Sequence, residues 1–198
     1  MADRNPAQAA QEQQVFERFL TACPSFAKNV VSHPSSCGDF PDIDAHLHDG
    51  TVILVELGEW IDGSQMADAL AEEARGVTEP RGGAYDPEVA LAALRRIANK
   101  KLDHYGSSAR GAWLIIHYSR GVLYNTPFRS LDVGGFEDVA RVVSELCKQR
   151  EVPFAKVFLL GAWGDIDARL AETLRDAGYP VTAGPEAFEV FPDFRRCR

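Results

Sequence analysis

The feature that most constrains this chain is the run Phe40–Trp60, FPDIDAHLHDGTVILVELGEW. Ile43, Ala45 and Leu47 alternate with Asp42, Asp44, His46 and His48, which is the period of a half-buried strand. Asp49-Gly50 follows, a pair suited to a tight turn because glycine takes positive φ without steric cost. TVILVEL then returns as an apolar partner strand, so the spacing predicts a hairpin. Glu56 stands inside that returning strand, where a carboxylate without a partner is costly to bury. The register decides what faces it. A connection of three residues centred on Asp49 sets Asp42 opposite Glu56, whereas a two-residue connection slides the pairing and sets Ile43 there.

A second misplaced charge lies on the next long helix. Asp86-Pro87 is a preferred helix start, with Asp as N-cap and Pro at the first position, and the helix is predicted to run to about Tyr105, before Gly106. At about 100° per residue, Ala90, Leu91, Leu94, Ile97, Ala98, Leu102 and Tyr105 form one apolar stripe, with Arg95, Arg96, Asn99 and Asp103 opposite. Lys101 falls inside the stripe and Lys100 at its margin. A lysine aimed at a core must neutralise or find a carboxylate. Glu56 is the available partner, either as half of a structural ion pair or as part of a site.

The remaining pattern alternates strand and helix. Val15, Phe16, Phe19 and Leu20 predict an opening helix that ends near Pro24, preceded by about a dozen polar, frayed residues and followed by the loop HPSSCGDF. SQMADALAEEARG reads as a short helix and TEPRGGAYDP as a loop. AWLIIHYS, VLYNTP and AKVFLLGAW read as strands; FEDVARVVSELCKQR and DIDARLAETLRDAG, the latter capped by Asp165 and closed by Gly178, read as helices. The expected architecture is one α/β domain over residues 1–198, with a mixed central sheet flanked by helices. Residues 126–198 form its C-terminal β-α extension, which either widens the sheet, offers a homodimer face or holds a partner.

Composition narrows the function. With 198 residues and 45% hydrophobic content, the chain can bury one sizeable core. A net charge of −8 repels phosphate backbones, so nucleic-acid contact has to come from a local basic patch. Arg95, Arg96, Lys100 and Lys101, with Arg75 and Arg81, offer one, although scattered helix charges more often serve solubility. Arg195, Arg196 and Arg198 carry the same two readings. With no apolar leader and no apolar run near the ~18 residues needed to span a bilayer, a cytoplasmic protein without membrane contact is expected. Cys23, Cys37, Cys147 and Cys197 lack metal-binding spacing and read as reduced thiols. Asp44, His46 and His48 share a strand face that suits either a metal or solvent. Gly161–Gly164 lacks the spacing of a nucleotide-binding loop.

The order of helix, strand opening at Pro41-Asp42, hairpin, Glu56 in an apolar strand, helix and apolar strand resembles the restriction-endonuclease-like PD-(D/E)xK nuclease superfamily, over roughly residues 15–119. The resemblance implies an αβββαβ core in which Asp42 and Glu56 bind a divalent metal, Mg²⁺ or Mn²⁺. It implies catalytic roles for Asp42, Glu56 and a lysine. The family's usual lysine position, two residues after the glutamate, is Gly58 here. Some members carry this lysine on the following helix instead, which implies Lys101 or, second, Lys100. Glu59 is a further ligand or base where a bulge at Gly58 turns it to that face, Asp44 joins the metal candidates from its own strand face, and Glu17 matches a position where some members keep an acid. The implied function is metal-dependent hydrolysis of nucleic-acid phosphodiesters, DNA before RNA. Its alternative is a catalytically inactive member serving as an interaction or accessory module.

Overall fold

The computed structural model describes residues 5–36, 40–60, 87–117, 136–161, 186–191 and 195–197. Helix α1 (Pro6–Ala22) starts inside the polar segment expected to fray. Its cap explains why: the Asn5 side chain accepts the Ala7 N–H, and Pro6 sits at the first helical position, where its missing N–H costs nothing. After the single turn α2 (Pro24–Ala27) comes β1 (Val30–Pro34), a strand in a region the hydrophobic pattern left outside any element. Then follow β2 (Ile43–Leu47), β3 (Val52–Glu59), α3 (Pro87–His104), a 3₁₀ turn (Gly106–Ala109) and β4 (Trp113–His117). The described chain closes with α4 (Phe136–Lys148), β5 (Lys156–Gly161), β6 (Glu186–Phe191) and the two-residue β7 (Arg195–Arg196). The segments around SQMADALAEEARG, VLYNTP and DIDARLAETLRDAG, together with Arg75 and Arg81, lie outside the described residues.

Among the described residues the strands form one mixed seven-stranded sheet in the order β1-β2-β3-β4-β5-β6-β7. β3, β4 and β5 run parallel to one another, and the flanking pairs are antiparallel. Each face of the sheet has its own core, and alternation along the strands sorts the residues between them. Leu114 and Ile116 of β4, with Val157 and Leu159 of β5, pack with Leu94, Ala98 and Leu102 of α3 and Val143 and Cys147 of α4. On the other face, Ile115, Phe158 and Leu160 pack with Val15, Phe16 and Phe19 of α1. The parallel strands are thus buried on both faces, which is why they read as continuous apolar runs. Residues beyond 126 contribute β5, β6 and β7 to the sheet that carries the hairpin.

Cys23, Cys147 and Cys197 are free thiols. No helix among the described residues is long and apolar enough to cross a membrane.

Candidate active site

The hairpin settles the register. Leu47 N–H donates to Thr51 O across a three-residue connection, 2.8 Å, with Gly50 at φ 85° and Asp49 Oδ1 accepting the Thr51 N–H. That N–H is the main reason the Asp49 carboxyl lies below the usual carboxylate range. The ladder pairs Ala45 with Ile53 and, as its last step, Ile43 with Val55, which is the register of the three-residue connection. At that step the Asp42 side chain joins the ladder: Asp42 N–H donates to Val55 O at 3.0 Å, and Asp42 Oδ2 accepts the Leu57 N–H at 2.8 Å. The aspartate is therefore fixed by the strand that carries the glutamate.

Glu56 is 1% exposed, on the face covered by α3. Its Oε1 accepts from Lys101 Nζ and from Tyr105 Oη, each at 2.5 Å. Lys101 and Tyr105 are four residues apart on α3 and so present to the same spot. The Tyr105 ring is held by Phe40 and Phe154, with centroids at 5.0 and 6.2 Å. Glu56 Oε2 is buried and has no hydrogen-bond partner. A second buried glutamate provides the contrast. Glu189 on β6, 4% exposed, has both oxygens engaged: Lys156 Nζ lies 3.2 and 3.3 Å from them, and Arg195 donates twice to Oε2. Arg195, read from sequence as part of a basic tail, belongs to that ion pair. Glu189 is satisfied as a structural carboxylate, and Glu56 is satisfied on one side only.

Gly58 explains how Lys101 reaches its place. A Cβ built on Gly58 would lie 3.5 Å from Lys101 Cγ and 3.7 Å from Lys101 Cε. The lysine stem thus runs over the strand position where a side chain is absent, and brings its amine to the strand's glutamate.

Beside this pair, at the C-terminal ends of the parallel strands, lies an open cleft of about 320 Å³. Asp42, Leu57, Glu59, Lys101 and His117 line it from the sheet and α3, and Gln8, Gln11 and Glu12 from α1. His117 is 6% exposed and its Nδ1 has no hydrogen-bond partner. Burial, reinforced by the Arg18 and Lys101 cations, pushes its pKa down to about 3, so the ring is neutral at physiological pH.

The other expected residues are placed differently. Lys100 is exposed, because one residue along α3 turns it about 100° away from Lys101. Glu59 pairs in register with His117 with no bulge at Gly58, so it stays on the Leu57 face and lines the cleft. Asp44 lies opposite Leu54, one pair beyond Val55 and so away from Glu56 along the ladder. Glu17 is exposed and bonds within α1; Glu12, five residues earlier, is the acid of α1 at the cleft. His46 and His48 are exposed, as a solvated strand face would have them. Among the described residues, no three His, Cys, Asp or Glu side chains are grouped to hold a metal. The expected four-carboxylate set is therefore not assembled; Asp42 lies at the cleft and Glu56 is engaged by Lys101, which also lines it. Tyr105 and His117 were hidden in an apolar stripe and an apolar strand; the spacing of Tyr105 four residues from Lys101 was the one available signal.

No protein-family model, curated protein or solved structure matches this chain.

Proposed function

We propose that the chain is a metal-dependent nuclease of the PD-(D/E)xK type, hydrolysing nucleic-acid phosphodiesters with its lysine supplied by α3. The observation that carries this reading is Lys101, whose stem crosses Gly58 and whose amine meets a glutamate with one buried, unpartnered oxygen. The ligand atoms suit a hard divalent cation such as Mg²⁺ or Mn²⁺: Glu56 Oε2 is an acceptor without a donor, and the Asp42 carboxylate is tied to Leu57, the next residue of the same strand. Two protein carboxylates are enough for Mg²⁺, which keeps waters and takes substrate phosphate oxygens as further ligands. Such a cation supplies charge neutralisation at the phosphate and a lowered pKa for the attacking water. Tyr105 and Lys101 orient the Glu56 carboxylate, and Leu57 N–H orients that of Asp42. Lys101, which also reaches the cleft, has further N–H groups to donate to a phosphate oxygen. DNA is the expected substrate, approached through a local basic patch that includes the exposed Arg95, Arg96 and Lys100 of α3.

The alternative, an inactive member acting as an interaction module, draws on the net charge of −8 and the lack of a three-carboxylate cluster among the described residues. Metal titration separates the two. Millimolar Mg²⁺ or Mn²⁺ should raise the melting temperature of the wild type and not of Glu56→Gln, since a ligand at a hundred times its Kd stabilises a fold by about 2.7 kcal/mol. Nicking of supercoiled plasmid or shortening of a labelled single-stranded oligonucleotide should accompany it. A wild type that neither shifts nor cleaves sinks the nuclease reading.

Gly58 offers a sharper test of the lysine. Lys101→Ala should lower cleavage by about a hundredfold, the scale of losing one electrostatic donor. Gly58→Lys added to Lys101→Ala should recover part of it, because the stem's volume above the strand is then vacant. Gly58→Lys alone should destabilise the protein by crowding Lys101. If the double variant cleaves no better than Lys101→Ala, Lys101 does not stand in for a strand lysine.

A further inference from the structure

Two thiols meet where α1 ends. Cys23 caps that helix: its N–H donates to Phe19 O at 3.0 Å, and its carbonyl accepts the Phe26 and Ala27 N–H groups, each at 3.0 Å. Cys197 follows β7, and its N–H donates to Ala187 O of β6 at 2.9 Å. Both backbones are therefore fixed, one on the helix and one on the sheet. Their side chains belong to the same apolar cluster, Cys23 inside it at 3% exposed and Cys197 half-buried against it. There the Cys23 thiol donates a hydrogen bond to the Cys197 sulfur. Sulfurs already in that contact can reach bonding geometry by side-chain movement.

The contact makes the two thiols unlike. The hydrogen bond from Cys23 is the main reason the Cys197 thiol lies below its ordinary value, against the opposing effects of burial and of Glu189. The same bond, with burial, pushes Cys23 up. Cys197 is thus the readier thiolate and the one that solvent reaches, whereas Cys23 is enclosed and holds its proton. An accessible, easily ionised thiol beside a second cysteine is the arrangement that peroxide oxidises reversibly. Cys147 provides the contrast: it is 1% exposed in the core on the other face of the sheet, and burial pushes it up to about 12.

We propose that Cys23 and Cys197 form a peroxide-responsive modification site, in which oxidation closes a disulfide between the end of α1 and the β6-β7 edge of the sheet. The Cys197 thiolate attacks an oxygen of hydrogen peroxide: an S–O bond forms, the O–O bond breaks, and the leaving hydroxide takes up the thiol's proton as water. Cys197 is then a sulfenic acid. Cys23 gives up its proton as its sulfur attacks that of Cys197, so an S–S bond forms, the S–O bond breaks, and hydroxide leaves with the proton as a second water. One peroxide is reduced and two thiols are oxidised. Because α1 also supplies Gln8, Gln11 and Glu12 to the cleft, the bond would tie one wall of that cleft to the sheet. None of this depends on the nuclease reading.

The test uses the full reduced chain, freed of reductant and given one equivalent of hydrogen peroxide at pH 8. Peptide mapping after the remaining thiols are blocked should show Cys23 joined to Cys197, with Cys147 still a thiol and neither partner joined to Cys37, which lies outside the described residues. Oxidation should raise the melting temperature by on the order of 5 °C, since closing so long a loop restricts the unfolded chain, and dithiothreitol should reverse the rise. In Cys23→Ala the sulfenic acid has no resolving thiol, so dimedone should label Cys197 and peroxide should leave the melting temperature unchanged. In Cys197→Ala, Cys23 should stay unlabelled. The wild-type map decides the matter even where a variant folds poorly.

The inference is overturned if the folded wild type yields no Cys23-Cys197 peptide, or yields it only after urea is added. It is equally overturned if dimedone marks Cys23 ahead of Cys197. A linked protein that melts no higher than the reduced one also overturns it, since the bond would then form from an opened state and not from the native contact.

Discussion

Lys101→Met, measured by urea denaturation in EDTA at neutral pH, should cost about 3 kcal/mol, because it strands a buried carboxylate. Glu56 is 1% exposed, and without the lysine its Oε1 keeps only the Tyr105 hydroxyl while Oε2 still has no partner. The Lys101 side chain is 23% exposed, so some solvent enters when it is shortened, which places the effect at the lower end for a broken buried pair. Glu56→Gln combined with Lys101→Met should cost much less than the two single changes added together, because the neutral amide no longer needs a cation and its oxygen still accepts from Tyr105. Additive losses would mean that the two groups are not energetically coupled. Repeating the series with Mg²⁺ extends the test. A cation held by Glu56 would offset part of the lost lysine charge, so the Lys101→Met deficit should shrink with metal and the deficit of the double variant should not.

Much of this geometry was legible in the sequence, for identifiable reasons. Asp49-Gly50 and the alternation around it confine the hairpin to two registers, and the structure adopts the one centred on Asp49, which pairs Ile43 with Val55. Lys101 was visible because a charge on an apolar helical stripe breaks a period of 3.6. The end of α3 before Gly106 followed from the same stripe, and the observed helix stops at His104. Other parts were not legible, because their meaning lies in contacts between distant residues. Tyr105 fits an apolar stripe as well as a hydrogen-bonding site, and only its approach to a residue 49 positions away reveals the hydroxyl's role. His117 closes an apolar strand, where one ring among aliphatic residues reads as packing. Glu189 and Arg195 are six residues apart on strands that no local period announced, and the short β7 brings them together. The unexpected length of α1 has a local cause, the Asn5-Pro6 start, outweighed in the reading by a polar composition that lacks an apolar stripe.

Acid should weaken the fold through His117 in a way that can be isolated. Its folded pKa is about 3, against an ordinary value of 6.5 when the chain is unfolded. Between those values the unfolded state binds one more proton than the native state, so unfolding free energy rises with pH. The stability linked to this ring is complete above about pH 6.5, declines by about 1.4 kcal/mol for each unit below it, and levels off near pH 3. Carboxylates titrate across the lower part of the same window, so the wild-type curve alone does not isolate the imidazole. The difference from His117→Phe does, since other groups contribute to both proteins alike. That difference should be flat from pH 8 to 7 and should then move in favour of the variant as pH falls, by on the order of 5 kcal/mol at the acid limit. Parallel curves would show that His117 takes a proton without unfolding.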